Sequence, residues 1–222
     1  MTKLNVLVLC ECSGVVSQAF RDLGHHAYSV DTQDCDATGD SEYHIKGDAL
    51  EVLDNFYQIS KGSRVLWDLI IMHPPCTALA VSGNAHYGNG QAKYDDRLVA
   101  AIWTLELWTK ALERGKHVAL ENPVSVLHRL TGIPKASYVQ PYEHGHAEQK
   151  KTGFHLHALP AIIETDNVKE AMMLLPMKDR QRIHYMSPSI ERAKERSRTY
   201  TGIAKAIADQ WSKYVIAKDY TG

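Results

Sequence analysis

Cys76 directly follows two prolines, in "HPPC" (73–76), at the end of the apolar run "VLWDLIIM". Two prolines fix φ and remove two amide donors, so the backbone ahead of the thiol is rigid and the side chain is aimed. "LENP" (120–123) repeats the device with Glu121, Asn122 and a strand-stopping proline. A thiolate and a carboxylic acid on neighbouring strand ends make a coherent pair for pyrimidine chemistry. The thiolate adds to C6 of the ring, and the acid protonates or hydrogen-bonds N3. C5 then becomes an enamine-like nucleophile able to attack a methyl donor. The plainer alternatives are a buried structural cysteine and a surface glutamate.

Other polar residues also stand just after apolar runs. "LNVLVLC" (4–10) leads into Glu11, Cys12, Ser13 and Gly14. The turn at "GVVSQAF" opens a helix for which Ser13 is a plausible cap. Its first amides suit a nucleotide-like cofactor, although a full Gly-x-Gly-x-x-Gly pattern is missing. Asp31 could hold ribose hydroxyls, and Asp48 in "KGDAL" could accept from an exocyclic adenine amine. Each acid could equally be a helix cap or a solvated loop residue. Between 178 and 198, seven cations, among them Arg192, Arg196 and Arg198, face three acids, a net of +4. Such a cluster suits phosphate contact, with a solvated helix face as the alternative. The small-residue loop 77–92, which contains Ser82, reads as mobile enough to close over a flipped base. His144-x-His146 and His155-x-His157 each amount to half a zinc site, so no metal is expected.

The elements that must position these groups follow from hydrophobic patterning. Apolar runs at 4–10, 26–31 and 65–75, a third strand candidate within 41–53, and "KHVALENP" (116–123) alternate with helical stretches. The longest is 93–114, with Leu98, Ala101, Ile102, Leu105, Trp108 and Leu112 at helical spacing. That alternation predicts an α/β fold with a parallel sheet and helices on both faces, whose strand ends form one rim. "GFHLHALP" (153–160) alternates as one half-exposed strand. Residues 161–190 read as loops with a short helix, and 201–217 as a closing helix. No repeat or domain boundary is visible, so 1–222 is expected to be one domain: a core at 4–123, a reduced target-facing region at 124–200, and the helix returning to the core. The chain has 222 residues, 44% of them hydrophobic and 23% charged, with a net charge of −1. No global field draws it to nucleic acid, so any such contact needs a local patch. No apolar stretch approaches the ~20 residues of a membrane span. The apolar run near the N-terminus is too short for a signal segment. Four cysteines in this length do not make a disulfide scaffold, and a cytoplasmic setting is expected.

The order of these features resembles the cytosine-C5 DNA methyltransferases. "LCECSGVVSQAFRDLGHHAYSVD" (9–31) looks like that family's first cofactor loop with its following acid, and "KGDA" (46–49) like its adenine contact. "HPPC" is similar to its Pro-Pro-Cys loop, "LENP" to its Glu-Asn segment, and "YTGIAKAIADQW" (200–211) to its late helix. "ENP", "QPYEHGHAEQKKTGFHL" (140–156) and "RSRTYTGIA" (197–204) resemble, as a set, small methyltransferase-like proteins of bacteriophages. The resemblance implies a Rossmann-like fold of the kind that uses S-adenosylmethionine. It implies that Cys76 is the nucleophile, Glu121 the N3 partner and Asn122 a residue orienting that loop. The donor would meet Glu11, the backbone of Cys12–Gly14, Asp31, Asp48 and Pro74. Ser82, Lys150, Lys151 and the three arginines would face the target. That target is DNA, reached in a bacterial host cytoplasm if the gene is a phage's. Only about 45 residues separate "KKTGF" from "YTGIA", too few for the family's usual recognition domain. A free pyrimidine nucleotide such as dCMP is therefore the alternative substrate, and a non-catalytic nucleic-acid-binding protein the alternative class.

Overall fold

The computed structural model describes residues 2–36, 41–59 and 67–219. In chain order the strands are β1 (Asn5–Leu9), β2 (His26–Asp31), β3 (His44–Lys46), β4 (Trp67–Met72), β5 (Gly115–Pro123), β6 (Ser137–Val139) and β7 (Thr152–His157). The helices are α1 (Val15–Asp22), α2 (Ala49–Ile59), α3 (Asn84–Tyr87), α4 (Tyr94–Arg114), α5 (Leu127–Thr131), α6 (Lys169–Met173), α7 (Met177–Arg180), α8 (Arg182–Tyr185), α9 (Ile190–Ser197) and α10 (Thr201–Asp219). The strands form one sheet in the order β3-β2-β1-β4-β5-β7-β6, parallel from β3 to β5 and antiparallel at β7 and β6. This is the expected α/β, Rossmann-like architecture.

The sheet divides two cores. On one face Val6, Val8, Leu69, Ile71 and Ala119 meet α1 and α10 through Val16, Phe20, Ile207 and Trp211. On the other, Leu7, Leu9, Ile70, Met72, Val118 and Leu120 meet α2, α4 and α5 through Leu53, Leu107, Trp108 and Leu127. Odd and even residues of each central strand are thus both buried. That is why β1 and β4 read as continuous apolar runs and not as alternation.

Several expectations need correction. Strand β4 stops at Met72, before the prolines, and Val65 and Leu66 of that apolar run lie outside the described residues. On α4 the buried stripe is Arg97, Ala101, Thr104, Leu107, Trp108 and Ala111, whereas Ile102 is 67% exposed. A buried arginine and threonine displaced the apolar register that the pattern suggested. Strand β7 is buried from Thr152 to His155, not half-exposed, because β5 and β6 flank it. The three-residue β6 was not foreseen; so short a strand carries no periodicity.

The turn out of β1 passes twice through the left-handed region. Cys10 sits at φ 57°, a left-handed conformation that a side chain with Cβ rarely adopts, and Gly14 follows at φ 66°. The kink carries the chain from the carboxyl end of β1 into α1. Cys10→Val puts a β-branched side chain at that φ. It is expected to lose about 1–3 kcal/mol, read as a lower denaturant midpoint with unchanged slope. Stability equal to the parent would contradict a strained turn.

Candidate active site

At the carboxyl ends of β1, β2, β4 and β5 lies a cavity of about 740 Å³. Fourteen of the sixteen residues singled out from the sequence line it. Glu11, Cys12, Ser13, Asp31 and Asp48 stand at one end; Pro74, Cys76, Ser82 and Glu121 stand at the β4–β5 end. Lys150, Lys151, Arg192, Arg196 and Arg198 close it from the far side. Gly14 and Asn122 are not among its lining residues. Asn122 is one residue beyond Glu121 on β5, so strand alternation turns its side chain to the opposite face of the sheet. It is fully buried there, and its amide makes no hydrogen bond among the described residues. Among the described residues, the Asn122 side chain makes no hydrogen bond to the Glu121 segment.

The α1 end is built around Glu11. Its carboxylate accepts from the Val16 amide at 2.6 Å and the Ser17 amide at 3.2 Å, so it caps the helix from four residues upstream of its first residue. Ser13, the expected cap, instead accepts from Val15 at 3.4 Å, and Gly14 occupies the N-cap position. Burial pushes the Glu11 pKa up against the pull of His73 and the two amides. Asp31 accepts from the Gln33 amide at 2.9 Å. Asp48 caps α2 through Oδ1, at 2.8 Å from the Leu50 amide and 3.2 Å from that of Glu51. Capping and cavity lining therefore coexist in Asp48.

At the other end, Glu121 sits beside His73, with Nδ1 at 3.3 Å from Oε2 and both side chains largely buried. Burial raises the carboxyl pKa, but the His73 hydrogen bond, the His73 charge and Lys150 outweigh it and hold Glu121 below its ordinary value. The Cys76 thiol goes the other way. Burial first, then the Glu121 charge, push it up, while Arg196 and Lys150 pull it partly back. Lys150 is itself lowered, by burial above all, against the attraction of Glu121 and Cys76. Its Nζ donates to the Arg198 carbonyl at 3.0 Å. Cys76 is thus a resting thiol in a cluster whose cations stabilise the thiolate once it forms.

Part of the small-residue loop behind Cys76, 78–84, is tied to its neighbours by hydrogen bonds. Val81 donates to the Val124 carbonyl and Val126 to that of Leu79, so 79–81 lies against the segment after β5. Arg97, 2% exposed, donates through Nε to Ala78 at 2.6 Å, through Nη2 to Ala80 at 3.2 Å, and through Nη1 to Asn84 Oδ1 at 2.8 Å. One buried guanidinium thereby satisfies three neutral acceptors of the loop. Arg97→Met fills similar space but orphans those acceptors. It is expected to cost about 2–4 kcal/mol. A loss under about 0.5 kcal/mol in a denaturant titration, the range of ordinary surface substitutions, would contradict the clamp.

The basic segment is partly neutralised, mostly by acids from other parts of the chain. Lys194 pairs with Asp36 at 2.7 Å, and Arg198 pairs with the same carboxylate. Arg182 is bound to Glu148 at 3.2 Å and Glu195 at 3.1 Å. Lys151 lies over the Tyr138 ring at 4.5 Å. Arg196 faces Cys76 electrostatically. Asp36, on the segment after β2, therefore ties α9 across the mouth of the cavity. Asp36 and His73 both line the cavity and were both missed in the sequence. His73 was legible as the residue leading the Pro-Pro-Cys run; Asp36 had no local signal. Among the described residues, no three His, Cys, Asp or Glu side chains gather into a metal-sized cluster. No helix among them is long and apolar enough to cross a membrane.

No family model and no curated protein matches the chain. Solved structures do. One is a protein named as a DNA modification methyltransferase encoded within a prophage (E. coli), 16% identical, with a TM-score of 0.42, covering 79% of this chain and 56% of its own. Another is PH0851, 14% identical, with a TM-score of 0.41, covering 70% of this chain and 42% of its own. The chain spans about half the length of these structures.

Proposed function

We propose that this chain is a methyltransferase that modifies C5 of cytosine in DNA, with S-adenosylmethionine as donor and Cys76 as nucleophile. The observation supporting this is one cavity with Cys76 and Glu121 at one end and Asp31 and Asp48 at the other. The α1 end bears on the choice of donor. In dinucleotide folds the first helix N-terminus receives a pyrophosphate. Here Glu11 already occupies those amides, so a phosphate would meet a buried carboxylate. A nucleoside donor without phosphate fits. Asp31 would hold its ribose hydroxyls, Asp48 its adenine amine, and Cys12–Gly14 its amino-acid end. When bound, S-adenosylmethionine supplies an electrophilic methyl group that the activated ring carbon takes up.

The chain's own residues do the rest. Cys76 gives up its proton to solvent as Sγ bonds to C6, and the C5–C6 π pair moves to C5. Lys150 and Arg196 stabilise the thiolate that this step requires. Glu121 accepts from the ring's exocyclic amine and, after taking a proton from solvent, donates it to N3, drawing charge away from C5. Loss of the C5 proton to solvent then returns the pair and breaks the Sγ–C6 bond, and N3 gives its proton back to Glu121 as the aromatic ring is restored. A free pyrimidine nucleotide is the second reading. It is favoured by α9, whose Arg192 and Arg196 line the same cavity as Cys76 and could hold a single phosphate.

The test is a transfer assay with methyl-labelled S-adenosylmethionine, offering duplex DNA, single-stranded DNA and dCMP in parallel, read by nucleoside mass spectrometry. Labelled 5-methylcytosine from DNA is expected. Label in dCMP alone would move the substrate to the free nucleotide. No label, with donor binding retained, would overturn the enzyme reading in favour of a binding protein.

A further inference from the structure

His73 has no part in the covalent scheme above, yet it lies at the centre of the buried charges. Register explains why. Leu9 pairs with Met72, and Met72 with Leu120, so the next residues out bring the ends of β1, β4 and β5 side by side. The His73 amide extends that ladder, donating to the Leu9 carbonyl at 3.0 Å. The imidazole is 7% exposed. Its Nδ1 meets Glu121 Oε2 at 3.3 Å, while Nε2 is buried with no hydrogen-bond partner among the described residues. Burying an imidazole with one nitrogen unsatisfied is unfavourable, and such a group calls for an explanation. The backbone does not force it on the site, since an apolar residue would continue β4 equally well.

We infer that His73 is a positioning residue, which holds the Glu121 carboxylate in the orientation that faces the target ring. The inference rests on the methyl-transfer reading, but its physical core, the link from His73 through Glu121 to Cys76, can be tested without turnover. Only the Nδ1 edge makes the contact, so the two amide replacements must differ. Asparagine places its amide near the Nδ1 position and can still donate to Glu121. Glutamine reaches toward the Nε2 position, where there is no bond to restore. Loss of the His73 contact also removes the largest of the pulls that outweigh burial at Glu121, so its carboxyl stays protonated to higher pH than in the parent. Where it does, negative charge is gone from beside Cys76 and its thiolate forms more easily.

The experiment compares the 222-residue parent chain with His73→Ala, His73→Asn and His73→Gln. Methyl transfer is measured alongside iodoacetamide alkylation of Cys76, resolved by peptide mass spectrometry in the absence of donor and target. Donor binding and thermal midpoint serve as fold controls. In His73→Ala and His73→Gln, turnover should fall about 30-fold or more, with donor affinity within about threefold of the parent. Cys76 alkylation at fixed pH should become about three- to tenfold faster. His73→Asn should recover both readings to within a few-fold. Equal losses in all three variants with unchanged alkylation would overturn the inference and make His73 a packing residue. Should the parent transfer no methyl group to any target, the alkylation series still decides on His73. The positioning claim and the methyl-transfer claim therefore fail separately.

Discussion

Cys76→Ala should abolish methyl transfer, by about four orders of magnitude or more, while leaving donor binding intact. The alternatives to a covalent route make this discriminating. Methylation of the exocyclic amine needs an acceptor for one proton but no sulfur nucleophile, and would survive the change. Cys76 is only partly exposed, and truncating it removes one sulfur from the cavity wall, so folding should be little affected. Cys76→Ser should be nearly as inactive. Its hydroxyl holds its proton more firmly than a thiol, in a place where burial and the Glu121 charge already oppose an anion. Transfer by Cys76→Ala within about tenfold of the parent would contradict a nucleophilic role. It would leave the cavity with a different reaction.

Glu121→Gln should move two readings in opposite directions. Turnover should fall by about two to three orders of magnitude, because glutamine can hydrogen-bond the ring but cannot deliver a proton to N3. Thiol reactivity should rise. Burial is the larger cause of the raised Cys76 pKa, and the Glu121 charge is the next. Removing that charge lowers the thiol pKa, so the thiolate fraction grows at any pH below it. Alkylation of Cys76 near neutral pH should become about tenfold faster. Cys10 serves as an internal reference, since burial first and then Asp31 and Asp48 push its pKa up to about 12, and it should not respond. A variant whose turnover and alkylation both fall would indicate a disturbed site and not a removed charge.

How far these features could be read from the sequence depended on whether the signal was local. Continuous apolar runs announced β1 and β4 because a parallel strand between two helical layers buries both faces. Proline and acid punctuation placed Cys76, Glu121, Asp31 and Asp48 at strand ends that the sheet then gathers. What escaped notice was non-local. Glu11 caps α1 from four residues upstream, whereas cap rules look at residues beside the helix and so point to Ser13. Arg97 reads as a polar interruption of an amphipathic helix until the 78–84 loop folds over it. The small side chains of 77–92 carried no signal for the hydrogen bonds to Val124, to Leu79 and from Arg97 that tie 78–84 to its neighbours. The net charge of 178–198 was legible. Its partial neutralisation by Asp36 and Glu148 was not, because those partners come from other parts of the chain.

The covalent step itself can be trapped. A cytosine bearing fluorine at C5, placed in DNA and offered with S-adenosylmethionine, lets Sγ–C6 bond formation and methyl uptake proceed. It then blocks release, because fluorine cannot leave C5 as a proton does. Intact-mass analysis followed by peptide mapping should show one DNA adduct per chain on Cys76, carrying the transferred methyl group and absent from Cys76→Ala. A protein that methylates ordinary cytosine at C5 yet forms no such adduct would contradict Cys76 as the nucleophile.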